Sequence, residues 1–369
     1  MKATKPLSGY SSDTEILTRQ GGWVTFDRLT YLDEVATRSP DGRFEWQVPE
    51  RIILDRYEGG MVWLHSRTTD LMVAPGSRLL VLKRHRVMRN GERFDLPYTE
   101  EILDAGSVLG ERWPLVATSR WQPDAPKREF TFTAAREHTY DGRLANLPLP
   151  LTVSADDLAS FMGMYLAEGH LDPPGRRSYG IWIWQKPGGR GFREYQELLD
   201  RILGRSVAHD PRAGGWHFGR KALYEYLAGC GKYAWGKRIP PEVLDLPATS
   251  LEKFWEFYCL GDGTNMVAAG RKPLDVISTT SEDMAGRLQE VIQKMGTWSL
   301  IQTVDFRKYA NKAGIKANRL CYRMVRRAGA VAFASKIEPV PYRGLIGSVR
   351  VSAGAVYVRR NNRPVWSGT

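Results

Sequence analysis

The chain has 369 residues, 42% apolar and 25% charged, a globular balance over a length that implies two or three domains. No apolar run is long enough to cross a bilayer, Met1 to Thr14 lacks the apolar core of a signal peptide, and three widely spaced cysteines (Cys230, Cys259, Cys321) argue against a disulfide framework or a zinc site and for a reducing compartment. The net charge of +12 is concentrated, with 14 Lys and Arg against two acids in residues 301–369 and 39 of each sign in residues 1–300. A neutral body with one basic flank suits a polyanion, because phosphate contacts release counterions; a merely solvated basic surface has the same composition.

Residues 1–130 predict short strands at Glu15–Thr18, Glu45–Val48, Arg51–Asp55, Met61–His65, Leu71–Val73 and Arg78–Leu82, punctuated by Asp41-Gly42, Gly59-Gly60 and Pro75-Gly76. This is an all-β texture, and the Pro-rich stretch Leu147 to Leu151 closes it. Ser154 before Asp156-Asp157 is a helix start, and the helix runs to Glu168. A strand at Tyr179–Gln185 and helices at Phe192–Leu203 and Lys221–Ala228 follow. The order then recurs: a helix from Ser250 to Gly261, a strand at Asp275–Thr279, a helix from Ser281 to Lys294, a strand at Arg319–Arg326 and a short helix near Ala328–Ser335. Residues 154–336 thus read as two tandem copies of one α/β unit. From Glu338 strand texture returns, with Gly347–Val351 and Ala355–Arg360 predicted to form a hairpin around Ala353-Gly354.

Each copy contains an apolar helix closing on an acid and a glycine. The first reads Phe161-Met162-Gly163-Met164-Tyr165-Leu166-Ala167-Glu168-Gly169, the second Trp255-Glu256-Phe257-Tyr258-Cys259-Leu260-Gly261-Asp262-Gly263. Small residues at Gly163 and Ala167 allow close helix approach, and the closing glycines suggest left-handed caps. One such helix alone is an ordinary core helix with a charged end. Two, at matching places of a repeat, would bring Glu168 and Asp262 together, where the carboxylates repel unless a cation lies between them; hard oxygen donors suit Mg²⁺.

These segments resemble the LAGLIDADG motif of homing endonucleases in its single-chain, two-repeat form, over about residues 154–336, and Lys237-Arg238-Ile239-Pro240 resembles that family's Lys-x-Ile-Pro turn. The resemblance implies a Mg²⁺-dependent endonuclease that makes a double-strand break in a long, nearly asymmetric DNA site. It implies a monomer in the cytoplasm of a bacterial or phage-infected cell, with no membrane partner. Glu168 and Asp262 would bind metal, with Lys237 and Lys336 as the active-site lysines of the two repeats. Phe257 departs from the family, which has a small residue there, so the helix seam is expected to be asymmetric or locally splayed. The alternative is a regulator or maturase derived from this family that binds DNA or RNA without cutting.

The family's strands form a saddle in the major groove. Here that implies DNA contacts from Arg176, Arg177, Gln185, Lys186 and Arg190 in the first repeat, and from Arg271, Lys272, Arg307, Lys308, Lys312, Lys316, Arg319, Arg323 and Arg327 in the second. Arg319, Arg323 and Arg327 are expected on one face of a single strand. Trp182 and Trp184 are assigned to sheet-to-helix packing.

The flanking β segments resemble the Hint fold of inteins. Ser12-Asp13-Thr14-Glu15-Ile16-Leu17 resembles the first block, Val73 to Leu80 the Thr-x-x-His block, and Val356 to Thr369 the closing block. Splicing needs a nucleophile, a proton donor and a cyclising Asn. The corresponding places hold Gly9, then Ala74 and Ser77, then Thr369, so no splicing is expected. The expected architecture is α/β (α+β): a duplicated LAGLIDADG αββαββα domain inserted in an all-β Hint-like module, with boundaries 1–150, 151–336 (repeats 154–246 and 247–336) and 337–369.

Overall fold

The computed structural model describes residues 7–89, 92–134, 137–138, 144–145, 150–173, 179–266, 274–307 and 318–369. The chain forms mixed α/β structure, mostly sheet, in two compact units: residues 1–121, 292–301 and 326–369 in the first, 122–291 and 302–325 in the second. Among the described residues no helix is long and apolar enough to cross a membrane.

The first unit is built from strands. Tyr10–Ser11, Lys336–Arg350, Arg51–His65 and Asp70–Val73 close into a small barrel. Arg51–His65 pairs with Lys336–Arg350 over all 15 residues, Arg51 opposite Arg350 and His65 opposite Lys336. A second sheet runs Arg363–Gly368, Ala355–Arg360, Glu15–Thr18, Val35–Arg38, Phe44–Gln47, and a third contains Val331–Ala334, Trp113–Val116, Arg78–Arg89 and Glu92–Asp104. Adjacent residues point to opposite faces of a strand, and both faces are covered. Ile16, Val35, Val356 and Val365 enter one apolar cluster, while Leu17, Ala36, Tyr357 and Trp366 enter another. This explains why these strands read as continuous apolar runs rather than alternating ones.

Several expectations are corrected. The segment 328–335 is a strand (Val331–Ala334), not a helix, because its alternate residues Ala332 and Ala334 are buried in the sheet core. Arg51–Asp55 and Met61–His65 are one strand, Gly59-Gly60 lying inside it. The C-terminal hairpin is Ala355–Arg360 with Arg363–Gly368, not Gly347–Val351 with Ala355–Arg360. Its two-residue turn is Asn361-Asn362 at φ 47° and 62°, left-handed geometry that asparagine tolerates.

The second unit carries the helices α1 (Ala155–Glu168), α2 (Phe192–Leu203), α3 (Lys221–Ala228), α4 (Tyr233–Gly236), α5 (Pro241–Leu244), α6 (Ala248–Asp262) and most of α7 (Glu282–Lys294). Two four-stranded sheets share one strand order. The first is Gly169–Leu171, Gly180–Trp184, Gly215–Gly219, His209–Asp210. The second is Gly263–Met266, Leu274–Thr279, Cys321–Arg327, Trp298–Val304. In each, a helix leads into the first two strands, a second helix follows, and the last two strands exchange places. In the Gly180–Trp184 strand Ile181 and Ile183 are fully buried, so Trp182 and Trp184 face the other way. Their assignment to sheet-to-helix packing is therefore corrected: they stack on each other on the open face, ring centroids 4.8 Å apart.

Candidate active site

Why α1 and α6 lie side by side is legible in their contacts. The side chain of Ser154 caps α1, accepting from the Asp157 amide at 3.1 Å. At the same end Ser250 Oγ donates to Asp156 at 2.6 Å. Midway, a Cβ on Gly163 would collide with the Phe254 carbonyl oxygen and crowd the Tyr258 amide. Near the far end, a Cβ on Gly261 would meet Ala167 Cβ at 2.7 Å and Glu168 Cγ at 2.8 Å. Start meets start and end meets end, so the helices are parallel and approach backbone to backbone. The motif's small residues are thus a packing requirement.

Parallel packing brings two helix C-termini together. Each carries unsatisfied carbonyls and the negative end of the macrodipole, and each adds an acid, Glu168 or Asp262. The closing glycines are not left-handed caps: Gly169 and Gly263 are extended, at φ −82° and −85°. Glycine is needed there for space, since a Cβ would strike the carbonyl oxygen of Tyr165 or of Cys259.

Lys237 answers this accumulation of negative charge. It is buried, and its Nζ donates to the carbonyls of Tyr165 (2.9 Å), Leu166 (3.1 Å) and Gly169 (2.8 Å), capping α1. Burial lowers its pKa to about 8, against the pull of Asp262 and Glu168. Burial raises the Glu168 carboxyl, opposed by Lys237. Crowding by protein atoms, then the charge of Glu168, pushes Asp262 up to about 7, while Lys237 and a hydrogen bond from Tyr258 act the other way. Asp262 still keeps a solvent-exposed surface.

A stability consequence follows. Asp262 holds its proton more tightly folded than unfolded, so it favours the folded chain below the ordinary carboxylate pKa, and that advantage is lost as pH rises through about 7. Asp262→Asn, which cannot ionise, is therefore expected to melt higher than the parent chain at pH 8 in EDTA, the difference vanishing near pH ~4. A melting series from pH 4 to 8 with a constant or zero difference would refute the placement of Asp262.

The other expected residues divide. Arg190 Nη1 donates to the Gly263 carbonyl at 3.3 Å, beside Asp262. The Gln185 side chain is engaged within its own turn, donating to the Arg190 carbonyl at 2.7 Å; Lys186 beside it is exposed. Arg307 is tied to Asp305 at 2.8 Å. Arg319 precedes the strand Cys321–Arg327 instead of lying in it, and its guanidinium sits 4.2 Å over the Trp235 ring, which corrects the three-arginine face. Arg323 is in that strand opposite Ser278, and Arg327, at its end, lies over Trp298 in the first unit. Lys336 belongs to the first unit, exposed at the start of its long strand, whereas Lys237 and both acids belong to the second. Arg176, Arg177, Arg271, Lys272, Lys308, Lys312, Lys316 and positions 147–149 of the Pro-rich stretch lie outside the described residues. Sequence reading missed Tyr258, which hydrogen-bonds Asp262, and Asp172, which accepts from Trp182 Nε1 at 2.9 Å and pairs with His217 Nε2 at 3.0 Å. A tyrosine one turn before the motif acid was the available signal for Tyr258.

In the first unit Gly9, Ala74 and Ser77 meet through hydrogen bonds. Gly9 N donates to Ser77 Oγ at 2.9 Å, Ser77 Oγ to the Gly9 carbonyl at 3.1 Å, and Ala74 N to that carbonyl at 2.8 Å. Tyr10 Oη donates to the Gly368 carbonyl at 3.0 Å. Gly9, Ala74 and Ser77 converge with no thiol or imidazole among them.

No protein-family model matches the chain. Among curated proteins it is similar to an ATP-dependent Clp protease proteolytic subunit of Chlamydomonas moewusii, 21% identical over 305 residues, which is 79% of this chain and 28% of that protein. The chain thus spans under a third of that relative's length. Among solved structures it is similar to a glutathione-linked, splice-inactive variant of the AceL NrdHF class 3 split intein. That match has 11% identity and a TM-score of 0.20 over 40% of this chain and 77% of the intein, too low to carry an argument.

Proposed function

We propose that the second unit is a two-repeat LAGLIDADG-type nuclease that cuts both strands of a DNA duplex with the help of a divalent cation, and that the first unit is a Hint-like relic that no longer splices. One observation carries the nuclease reading: two parallel helices packed through glycine deliver Glu168 and Asp262 to one place, beside a buried lysine. Retained carboxylates at both helix ends favour this over a binding protein that has lost cleavage.

The donor set fits Mg²⁺. Among the described residues no three His, Cys, Asp or Glu side chains gather as a ready-made cage. Mg²⁺ does not require one, since it is held by one or two carboxylates together with water and substrate phosphate. Glu168 and Asp262 would hold it, and when bound it would polarise the phosphodiester and lower the pKa of attacking water. The chain's own residues do the rest. The helix pair fixes the spacing of the carboxylates. Lys237 spends all its ammonium hydrogens on carbonyls, so it offsets developing charge by proximity and does not donate to a water. Arg190 anchors the turn after Gln185 to the end of α6. The test is cleavage of a selected DNA site by the purified chain, with and without Mg²⁺.

For the relic, the chain fused to flanking segments at both ends and treated with thiol is expected to stay in one piece, its own part contributing 41.8 kDa. Ligated flanks on a denaturing gel would refute this.

A further inference from the structure

Beside the acids lies a pocket of about 430 Å³ lined by Glu168, Lys237, His170, Asp172, Trp184 and Tyr233, among others, within the range of small-molecule sites. Resting on the nuclease reading, we infer that this pocket takes an unstacked nucleobase adjacent to the cleaved phosphodiester.

Two prebuilt aromatic stacks end at its walls. One is Trp184 on Trp182 on His217, centroids 4.8 and 4.4 Å apart, with Trp182 and His217 fixed from below by the two oxygens of Asp172. The other is Tyr233 on Trp235, centroids 4.6 Å apart and nearly parallel, with the Arg319 guanidinium 4.2 Å over the indole. Both stacks are finished on one side and open on the other: Trp184 is 37% exposed and Tyr233 61%. Large aromatic faces held rigid in water are surfaces awaiting a planar partner.

The turn that presents Tyr233 is strained. Tyr233 sits at φ 59°, a left-handed conformation unusual for a bulky residue, and Gly231 at φ 90° is packed so tightly that a Cβ would collide with the Gly236 carbonyl. Such strain persists where the surroundings over-determine it, as at ligand clamps. The same short segment ends in Lys237, so the residue that caps the acid-bearing helix and the one that walls the pocket are placed by one turn. Charge selects the ligand class. Lys232 is exposed in the pocket lining beside Glu168, and its ammonium suits a planar group attached to a phosphodiester better than a neutral aromatic side chain, which would leave that charge unused.

Two measurements decide it. Titration with 2′-deoxyadenosine 5′-monophosphate in Ca²⁺, read by tryptophan fluorescence, is expected to saturate, and Trp184→Ala and Tyr233→Ala, each confirmed folded by circular dichroism, to weaken binding roughly ten-fold or more. In gel shifts on a cleavable duplex, a mismatch at one position beside the cut is expected to tighten binding by about ten-fold, because the cost of unpairing is already met, and both variants to lose that gain. If the chain cuts DNA but neither binds the nucleotide nor tightens at any mismatch, the pocket assignment is wrong and the nuclease stands. If the nucleotide binds through Trp184 and Tyr233 but no DNA is cut, the nuclease is wrong and the pocket remains a nucleotide site. Equal affinities in the parent and both variants overturn the inference outright.

Discussion

Replacing Glu168 by Gln or Asp262 by Asn is expected to lower the Mg²⁺-dependent cleavage rate by about a thousand-fold, a barrier increase of about 4 kcal/mol, with DNA affinity changed little. The amides keep the shape of each side chain and remove one ligand charge. The carboxylates are few: no third donor joins them among the described residues, so neither loss has a local substitute. On the proposed reading, affinity would be carried elsewhere, by phosphate contacts that depend on Lys and Arg. Because the two acids share one crowded end, removing either is expected to disable both strands or to leave a nicking enzyme. A rate measured on a supercoiled plasmid alongside a gel shift in Ca²⁺ separates these effects. Native-rate cutting of both strands by both amide variants would remove the carboxylates from the mechanism.

Gly163→Ala is expected to destabilise the chain by about 2–3 kcal/mol, although alanine is favoured over glycine inside a helix by about 1 kcal/mol. The reason is geometric. The added methyl collides with backbone atoms of α6, not with the end of a movable side chain, so the helices must separate. Separation would part Glu168 from Asp262, and cleavage should fall with stability. Urea unfolding measures the first effect, and equal or greater stability than the parent would contradict the backbone contact. A surface glycine such as Gly214, whose added Cβ would meet nothing, is the control for handling, though its φ of 85° carries its own strain.

What the sequence showed and what it hid can be traced to particular residues. The two acid-tipped helices were legible because apolar periodicity, a Ser154 cap and a terminal glycine all agree. Their parallel pairing was inferable from Gly163 and Ala167, but the reason for Gly169 and Gly263 was not, because chain pattern cannot distinguish a glycine chosen for φ from one chosen for space. Lys237 could be named from its turn, yet its hydrogen bonds to three carbonyls depend on contacts some 70 residues away, beyond any local pattern. Trp182 and Trp184 were misplaced because both faces of an aromatic strand look apolar, and only the burial of Ile181 and Ile183 shows which face is open. Lys294 would be placed on a surface by its charge, yet it is fully buried over Phe44, Trp46 and Trp121, at 5.6, 5.1 and 4.3 Å from their rings. Phe257, expected to distort the seam, turns towards α2 and stacks with Tyr195, 6.0 Å between centroids, which leaves the seam to Gly163 and Gly261.

The central claim, that the Glu168–Asp262 pair makes this chain a DNA-cutting enzyme, is tested most directly by incubating the purified chain with a randomised duplex library in Mg²⁺ and sequencing the cut ends. Recovery of one long, nearly asymmetric site cut on both strands is expected, with no recovery in EDTA or from the Asp262→Asn variant. Recovery of no cut site in Mg²⁺, or of the same site from the Asp262→Asn variant at the native rate, would contradict it.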